Sequence, residues 1–282
     1  MIILVVVSVA FVLTVTFRLR RLERRMLFPA PVISRTRLAE LALEQGAREI
    51  TVVTEDSVSL YGWHIPARGE QVLLWFEGNS MSVGMRPGIF RQLHDLGFDV
   101  VHFNYRGYPG SPGRPSEKGL RADARAAWHF ASRIAPTTLV FGKSLGGAVA
   151  VGLAAEVGGS CSGLVVESSF SNVLELAAMR VPRRLARWLL VSRFDSLSLA
   201  SRVRCEVLVL HGDADGIVPV EHAVELAAAF TPPARLLRFS TAGHDDDLLV
   251  TPEGVGALRE LVARESRRTV RPDTLAQEPP EP

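Results

Sequence analysis

The chain has 282 residues, and its 32 basic and 30 acidic side chains leave a net charge of +2. This near balance gives no basis for a nucleic-acid-binding protein, so no nucleic-acid partner is expected. Without its two ends roughly 235 residues remain, enough for one large domain. The two cysteines, Cys161 and Cys205, lie far apart beside apolar segments, which predicts buried free thiols in a reducing compartment.

The first 17 residues carry no charge, and this length is at the short limit for a helix that crosses a bilayer. Basic side chains follow at once, against the single acid Glu23: Arg18, Arg20, Arg21, Arg24 and Arg25. We expect a single transmembrane anchor at 1–17 and a basic juxtamembrane segment at 18–48. A cleaved signal peptide is the alternative, but it requires a basic segment before the apolar one and a cleavage site after it.

Positive charge next to an anchor stays on the cytoplasmic side. We therefore expect a single-pass membrane protein whose main domain is cytoplasmic. A phosphatase fused to the C-terminus should be inactive, and activity outside the cytoplasm would contradict this orientation.

Strands and helices alternate along the middle of the chain. Strands are predicted at Glu49–Thr54, Val58–Ile65, Val72–Phe76, Phe98–Phe103, Thr138–Phe141, Leu164–Glu167, Val207–His211 and Arg235–Phe239. Helices are predicted at Gly88–Asp95, Glu117–Ile134, Leu145–Val157, Glu221–Phe230 and Glu253–Ala263. Most strands are short and continuously apolar, as in a sheet covered on both faces. The pattern predicts a mainly parallel, doubly wound α/β sheet, with the first two strands as an antiparallel hairpin at its edge.

An insert at 168–204 interrupts this alternation, with helices predicted at Val173–Met179 and Pro182–Val191. Arginines interleave with apolar residues in the second helix. It is either an ordinary amphipathic helix packed on the domain or a lid whose basic face contacts a membrane or an anionic substrate. The domain is expected to span 49–266. Residues 267–282 have almost no apolar content, which predicts a disordered tail.

One serine occupies a strand–turn–helix junction. A short apolar strand is followed by Gly142-Lys143-Ser144-Leu145-Gly146 and then by small, helix-compatible residues. The G-x-S-x-G spacing allows the serine to occupy a strained bend, because the flanking glycines have no side chains to collide there. The hydroxyl then projects toward a substrate and a base, so Ser144 is the predicted nucleophile.

An acid and a histidine follow Ser144, each just past the end of a later predicted strand. They are Asp215 and His244. The ends of parallel strands open onto one edge of the sheet, where ligands bind. We predict that His244 accepts the Ser144 proton and that Asp215 orients the imidazole. Asp213 is the rival acid, but Asp215 directly precedes Gly-Ile-Val-Pro.

Other polar residues near these motifs are given structural roles. His211 ends a strand and is predicted to be structural, and His222 is predicted to be a solvated or capping residue at a helix start. Asp245–Asp247 could resemble metal ligands, but an acidic cluster at a helix start is favoured. Arg106 is expected to brace a loop. No metal or cofactor is predicted.

Several segments together resemble a known family. They are Glu77-Gly78-Asn79, 104–113, Pro115-Ser116-Glu117, Gly142–Gly147, Phe194-Asp195-Ser196, His211-Gly212 with Asp215, and Gly243-His244-Asp245. Over roughly residues 24–262 the chain resembles membrane-anchored α/β-hydrolases of the Bem46-like type, which are related to the ABHD serine hydrolases. The resemblance implies an α/β-hydrolase fold with the insert as a small helical cap. It also implies hydrolysis of acyl esters, thioesters or amides without a cofactor, with Asn79 and Leu145 donating their backbone N–H groups to an oxyanion.

The chain departs from that family at one position. The resemblance implies His-Gly-Asn where Glu77-Gly78-Asn79 stands, and a carboxylate close to a developing oxyanion would repel it. Either the Glu77 carboxylate turns into a hydrogen-bonded or salt-bridged niche, or activity is weakened. The expected function is a serine hydrolase of small-molecule or lipid acyl substrates. The alternatives are a membrane-tethered interaction protein with weakened catalysis and an acyltransferase.

Overall fold

The computed structural model describes residues 14–15, 18–67 and 69–269. The predicted anchor at 1–17 lies outside the described residues except for residues 14 and 15, and the tail lies outside them from residue 270 onward. Among the helices of the described part, none is both long and apolar enough to cross a membrane.

Eight strands form one sheet. They are β1 (Arg48–Val53), β2 (Ser59–Ile65), β3 (Gln71–Phe76), β4 (Phe98–Phe103), β5 (Thr137–Lys143), β6 (Gly163–Glu167), β7 (Val207–Gly212) and β8 (Arg235–Phe239). Their order across the sheet is β1-β2-β4-β3-β5-β6-β7-β8. β2 pairs antiparallel with both β1 and β4, and every other neighbouring pair is parallel. The predicted mainly parallel sheet with an antiparallel edge hairpin is confirmed.

The helices are α1 (18–27), α2 (Arg35–Glu44), α3 (Pro87–Asp95), α4 (Glu117–Ala131), α5 (Leu145–Val157), α6 (Val173–Ala178), α7 (Arg183–Leu189), α8 (Ser196–Ala200), α9 (Val220–Ala229) and α10 (Pro252–Thr269). Sequence analysis placed no helix at α1, α2 or α8. The side chain of Ser34 caps α2 by accepting from the Arg37 N–H. α10 continues to Thr269, past the point at which the sequence places the start of the tail.

Apolar cores cover both faces of the sheet. One core joins the sheet to α4, α5 and α9, and the other joins it to α3 and α10. The middle strands β4, β6 and β7 are buried along their whole length. They therefore tolerate apolar residues at consecutive positions, as the continuous Val/Leu runs predicted. Helices on both faces make the fold doubly wound.

The insert at 168–204 forms α6, α7 and α8 between β6 and β7. α1 is held against this insert by the buried carboxylate of Glu23, which accepts from the N–H groups of Val191 (2.9 Å) and Ser192 (2.6 Å). The basic segment after the predicted anchor is therefore a folded part of the domain, in contact with the insert.

Candidate active site

Ser144 lies in a backbone conformation that L-amino acids seldom adopt, with φ 52° and ψ −117°, between β5 and α5. The glycines on either side make this bend possible. A Cβ at Gly142 would lie 2.2 Å from the Gly146 carbonyl oxygen, and one at Gly146 would lie 2.1 Å from the Phe76 carbonyl oxygen. The strand, bend and helix therefore pack too closely for side chains, which is the strained elbow that the G-x-S-x-G spacing predicts.

The structure brings Ser144, His244 and Asp215 together, although 71 residues separate Ser144 from Asp215 and 29 separate Asp215 from His244. His244 Nε2 lies 3.1 Å from Ser144 Oγ, and His244 Nδ1 lies 2.8 Å from Asp215 Oδ2. The other carboxylate oxygen of Asp215 accepts from the N–H groups of Ile217 and Val218, both at 2.8 Å. The carboxylate is thus fixed from both sides, and the three side chains form one continuous hydrogen-bonded chain.

Asp215 is buried, and burial raises the pKa of its carboxyl group. The hydrogen bond to His244 and those from the Val218 and Ile217 N–H groups outweigh burial, so the pKa lies below its usual value. Asp215 is therefore ionised at neutral pH, as a group that stabilises an imidazolium must be.

The rival acid, Asp213, does not reach this chain of hydrogen bonds. Its carboxylate pairs with the exposed guanidinium of Arg238 at 2.8 Å. His211 is fully buried and contacts the Val218 carbonyl oxygen at 2.8 Å. Burial lowers the pKa of His211, so the neutral ring supports the Asp215 loop, in the structural role predicted for it.

One of the structural roles assigned from the sequence is wrong, and another is confirmed. His222 is buried, and its Nδ1 lies 2.8 Å from Ser171 Oγ on the cap side of the sheet, so it is neither solvated nor a cap. Asp246 accepts from the Gly243 N–H and Asp247 pairs with Arg86, and Asp247 is also the N-cap residue of a 3₁₀ helix at Leu248–Val250. The acidic cluster therefore lies at a helix start, as predicted. The described residues contain no group of side chains that could hold a metal ion.

The loop after β3 borders the nucleophile. A Cβ at Gly78 would lie 3.7 Å from Ser144 Cβ, and Leu145 is the first residue of α5, whose first N–H groups have no partner within the helix. Two tyrosines hold this loop. Tyr105 Oη donates to the Glu77 carbonyl oxygen at 3.0 Å, and Tyr108 Oη donates to the Asn79 carbonyl oxygen. The N–H groups of Asn79 and Leu145 thus belong to two rigid segments on either side of Ser144.

The Glu77 carboxylate turns away from Ser144 into a buried niche. Oε2 accepts from the Trp75 indole N–H at 2.6 Å, and Oε1 accepts from Arg86 Nε at 2.9 Å. The Glu77 side chain is 2% exposed and that of Arg86 is 11% exposed. Of the two expectations for this position, the structure shows the salt-bridged niche: the Arg86 guanidinium neutralises the negative charge, and the Trp75 indole and Gly78 backbone N–H groups donate to the carboxylate.

Arg86 is one member of a buried network of charges below the nucleophile. It also pairs with Asp247, in the segment that follows His244. Lys143, directly before Ser144, donates to Glu167 Oε1 at 2.6 Å and to the Asp246 carbonyl oxygen at 2.5 Å. Burial raises the pKa of Glu167, while the Lys143 ammonium opposes that rise. The network therefore joins the β3 loop, the Ser144 elbow and the His244 segment.

A cavity of about 380 Å³ opens onto Ser144 and His244. Its wall is largely apolar and comes from the cap, the elbow, α1 and the loops after β3 and β7: Met26, Leu27, Met81, Leu145, Phe170, Val173, Leu176, Ala177, Val181, Leu190, Ile217 and Val218. Its polar lining residues include Asn79, Ser144 and His244. This arrangement accommodates an apolar chain with one reactive polar group.

Sequence reasoning missed several residues that shape the site. Arg86 and Asp247 are 161 positions apart in the sequence, so only the folded chain brings them together. Tyr105 and Tyr108 could have been identified from the sequence, because both lie in the Asn-Tyr-Arg-Gly-Tyr-Pro segment after β4. Arg106, between them, pairs with Asp56 and Asp123 and braces the loop as predicted.

Comparisons with known proteins agree with this architecture. The family model described as serine aminopeptidase, S33, matches residues 68–206. The uncharacterized protein MT2364 of Mycobacterium tuberculosis is 38% identical over 246 residues, which is 84% of this chain and 85% of that protein. The lysophosphatidylserine lipase ABHD12 of Danio rerio is 33% identical over 170 residues, or 53% of this chain and 44% of that protein.

Among solved structures, the esterase Pf2001 of Pyrococcus furiosus superimposes with a TM-score of 0.67 at 20% identity. The match covers 84% of this chain and 98% of that one. At this identity the match shows a common fold, and it extends over nearly the whole esterase. Together with the sheet order and the elbow at Ser144, it shows that the chain has the α/β-hydrolase fold. The extensive identity to MT2364 shows that the chain belongs to the same protein family as that protein.

Proposed function

We propose that this protein is a serine hydrolase that cleaves acyl esters or thioesters through an acyl-enzyme on Ser144. The observation that carries the proposal is the continuous hydrogen-bonded chain from Asp215 through His244 to Ser144 Oγ, where Ser144 and His244 line a largely apolar cavity. A serine hydroxyl is a weak nucleophile unless a base removes its proton during attack, and His244 Nε2 is positioned to do so.

In the first half-reaction Ser144 Oγ bonds to the carbonyl carbon while its proton moves to His244 Nε2. The carbonyl oxygen becomes an oxyanion, to which the N–H groups of Asn79 and Leu145 donate. One such donor is typically worth about 3 kcal/mol of transition-state stabilisation. The tetrahedral intermediate collapses, and His244 returns the proton to the leaving alkoxide or thiolate.

In the second half-reaction water attacks the acyl carbon and gives its proton to His244 Nε2. Collapse of this intermediate breaks the bond to Ser144 Oγ, which recovers the proton from His244 and releases the acid. Asp215 keeps its charge throughout, holds the imidazole in one tautomer and stabilises the imidazolium. No step requires a metal or a cofactor.

The cavity favours acyl chains over aminoacyl groups. Aminopeptidase activity, suggested by the family description, requires a negative group to bind a substrate α-amine. Asp245 is the single carboxylate among the residues that line the cavity in the described structure, and Arg86, Lys143 and Arg180 line it as well. An α-ammonium would therefore meet a largely apolar and cationic wall, whereas an acyl chain would meet methionine, leucine, valine and phenylalanine side chains. The lipase name of the Danio rerio relative agrees with a lipid-derived acyl group.

The substrate class is tested by comparing p-nitrophenyl esters of increasing chain length with aminoacyl p-nitroanilides. We expect turnover of the esters, with kcat/KM rising as the chain fills the cavity, and no turnover of the anilides above the rate of Ser144→Ala. Preferred cleavage of the anilides would replace the acyl-ester proposal by a peptidase.

A further inference from the structure

Two helices next to the cavity expose apolar side chains instead of burying them. On α1, Leu22 and Met26 are 50% and 67% exposed and lie four residues apart, on one face. On α7, Leu185 and Trp188 are 43% and 63% exposed and also share a face, while Ala186 is buried against the domain. A soluble helix normally buries such residues. Within the described part of the chain, these apolar faces have no packing partner that covers them.

The two exposed faces belong to one region beside the cavity. Glu23 joins α1 to the end of the cap helix through the Val191 and Ser192 N–H groups. Met26 from α1 lines the same cavity as Val181 and Leu190, which lie on the two sides of α7 in the chain. We call the exposed surface of residues 18–27 and 180–193 the cap face.

The cap face is strongly cationic, although the whole chain is nearly neutral. Residues 18–27 and 180–193 contain five arginines each, with Glu23 as their one acid. Arg21, Arg24 and Arg25 also share a groove of about 500 Å³ with Arg114 from the loop after β4. No ion pair joins Arg21, Arg25, Arg184 or Arg187 to a carboxylate of the described residues, so their charges face solvent.

We propose that the cap face binds an anionic phospholipid bilayer, with Leu22, Met26, Leu185 and Trp188 entering the interfacial layer and the arginines contacting headgroup phosphates. Apolar residues interleaved with arginines on a helix surface are the composition of interfacial helices, and a cluster of arginines matches the negative surface of anionic lipids. The position of the face in the chain agrees with this occupant, because α1 directly follows the uncharged residues 1–17.

This orientation also determines how a substrate would reach the cavity, an inference that rests on the proposed function. Three residues of the cap face, Met26, Arg180 and Leu190, line the cavity, so this side of the cavity would face the bilayer. A lipid-derived ester could then enter the cavity from the membrane without crossing water. The docking surface itself does not depend on catalysis, so it is measured equally well in Ser144→Ala.

Trp188 reports on the cap face without added labels. Of the four tryptophans, Trp63, Trp75 and Trp128 are at most 7% exposed, and only Trp188 is accessible. The full chain would be reconstituted with phosphatidylcholine vesicles that contain phosphatidylserine and are brominated in the acyl chains. We expect the bromine atoms to quench a fraction of the emission that disappears in Trp188→Phe, and this fraction to shrink in vesicles of phosphatidylcholine alone.

A charge variant tests the contribution of the arginines. An arginine near an anionic surface contributes about fivefold to binding, so Arg184→Gln/Arg187→Gln should lower the ratio of docked to undocked Trp188 by about 25-fold. The matched control, Arg133→Gln/Arg259→Gln, changes two exposed arginines outside the cap face and should leave quenching unchanged.

Two results would overturn the proposal. One is Trp188 emission that ignores brominated anionic lipid while aqueous acrylamide still quenches it. The other is Trp188 emission shielded from both quenchers, which would mean that a protein surface covers the cap face. Labelling of Ser144 by a fluorophosphonate in the same samples tests the hydrolase separately. A failure of membrane docking can therefore be distinguished from a failure of the hydrolase proposal.

Discussion

Asp215→Asn is expected to lower kcat by about 10⁴-fold while the protein remains folded. Asp215 Oδ2 accepts the hydrogen bond from His244 Nδ1, which leaves Nε2 free to accept the Ser144 proton. An asparagine at this position has no negative charge to stabilise the imidazolium, and its amide can hold the ring in the wrong tautomer. The measurement is steady-state hydrolysis of a short p-nitrophenyl ester, with circular dichroism to check the fold.

The matched control is Asp213→Asn, two residues earlier. Asp213 pairs with the exposed Arg238 on the surface, and an exposed pair of this kind contributes about 1 kcal/mol or less to stability. Its kcat should therefore stay within about twofold of the wild type. Equal losses in both variants, or an Asp215→Asn variant that keeps more than a tenth of the activity, would contradict the role assigned to Asp215.

Glu77→Ala is expected to destabilise the fold by about 3 kcal/mol. The substitution leaves the buried Arg86 guanidinium with Asp247 as its remaining partner and deprives the Trp75 indole N–H of its acceptor. Losing one partner of a buried ion pair is costly because the other charge stays desolvated. Urea unfolding followed by circular dichroism measures this loss. The same variant should lower kcat, because Glu77 holds the loop that carries the Asn79 N–H.

The double variant Glu77→Ala/Arg86→Ala separates the two effects. Removing both charges avoids a buried unpaired guanidinium, so the double variant should lose less stability than the sum of the two single variants. Activity should remain low in the double variant, since the loop has still lost its support. If Glu77→Ala unfolds at the wild-type urea concentration, Arg86 and Glu77 do not stabilise the site as inferred.

The sheet and the reacting residues could be predicted because their evidence is local. A strand buried on both faces needs a continuous apolar run, and β6 and β7 lie within one residue of the ranges that such runs indicated. Ser144, Asp215 and His244 each follow a strand end, and parallel strands bring their ends to one edge. The alternation of strands and helices indicated a parallel sheet, and a parallel sheet places these three residues close together.

The missed features depend on contacts between distant residues. α1 was assigned to a basic segment beside the membrane because arginines dominate its sequence, yet Glu23 joins it to the cap. His222 looked solvated at a helix start, but Ser171 from the opposite segment covers it. The direction of the Glu77 carboxylate could not be predicted either, because Arg86 contacts it only in the folded chain.

The central claim is that Ser144 is an activated nucleophile, and a fluorophosphonate probe tests it most directly. The probe forms a covalent bond only with a serine whose proton is removed by a positioned base. Wild-type protein should be labelled, mass spectrometry should place the adduct on the Ser144 peptide, and Ser144→Ala and His244→Ala should remain unlabelled. Folded wild-type protein that stays unlabelled, or an adduct on another serine in the wild type, would contradict the assignment of Ser144 as the catalytic nucleophile.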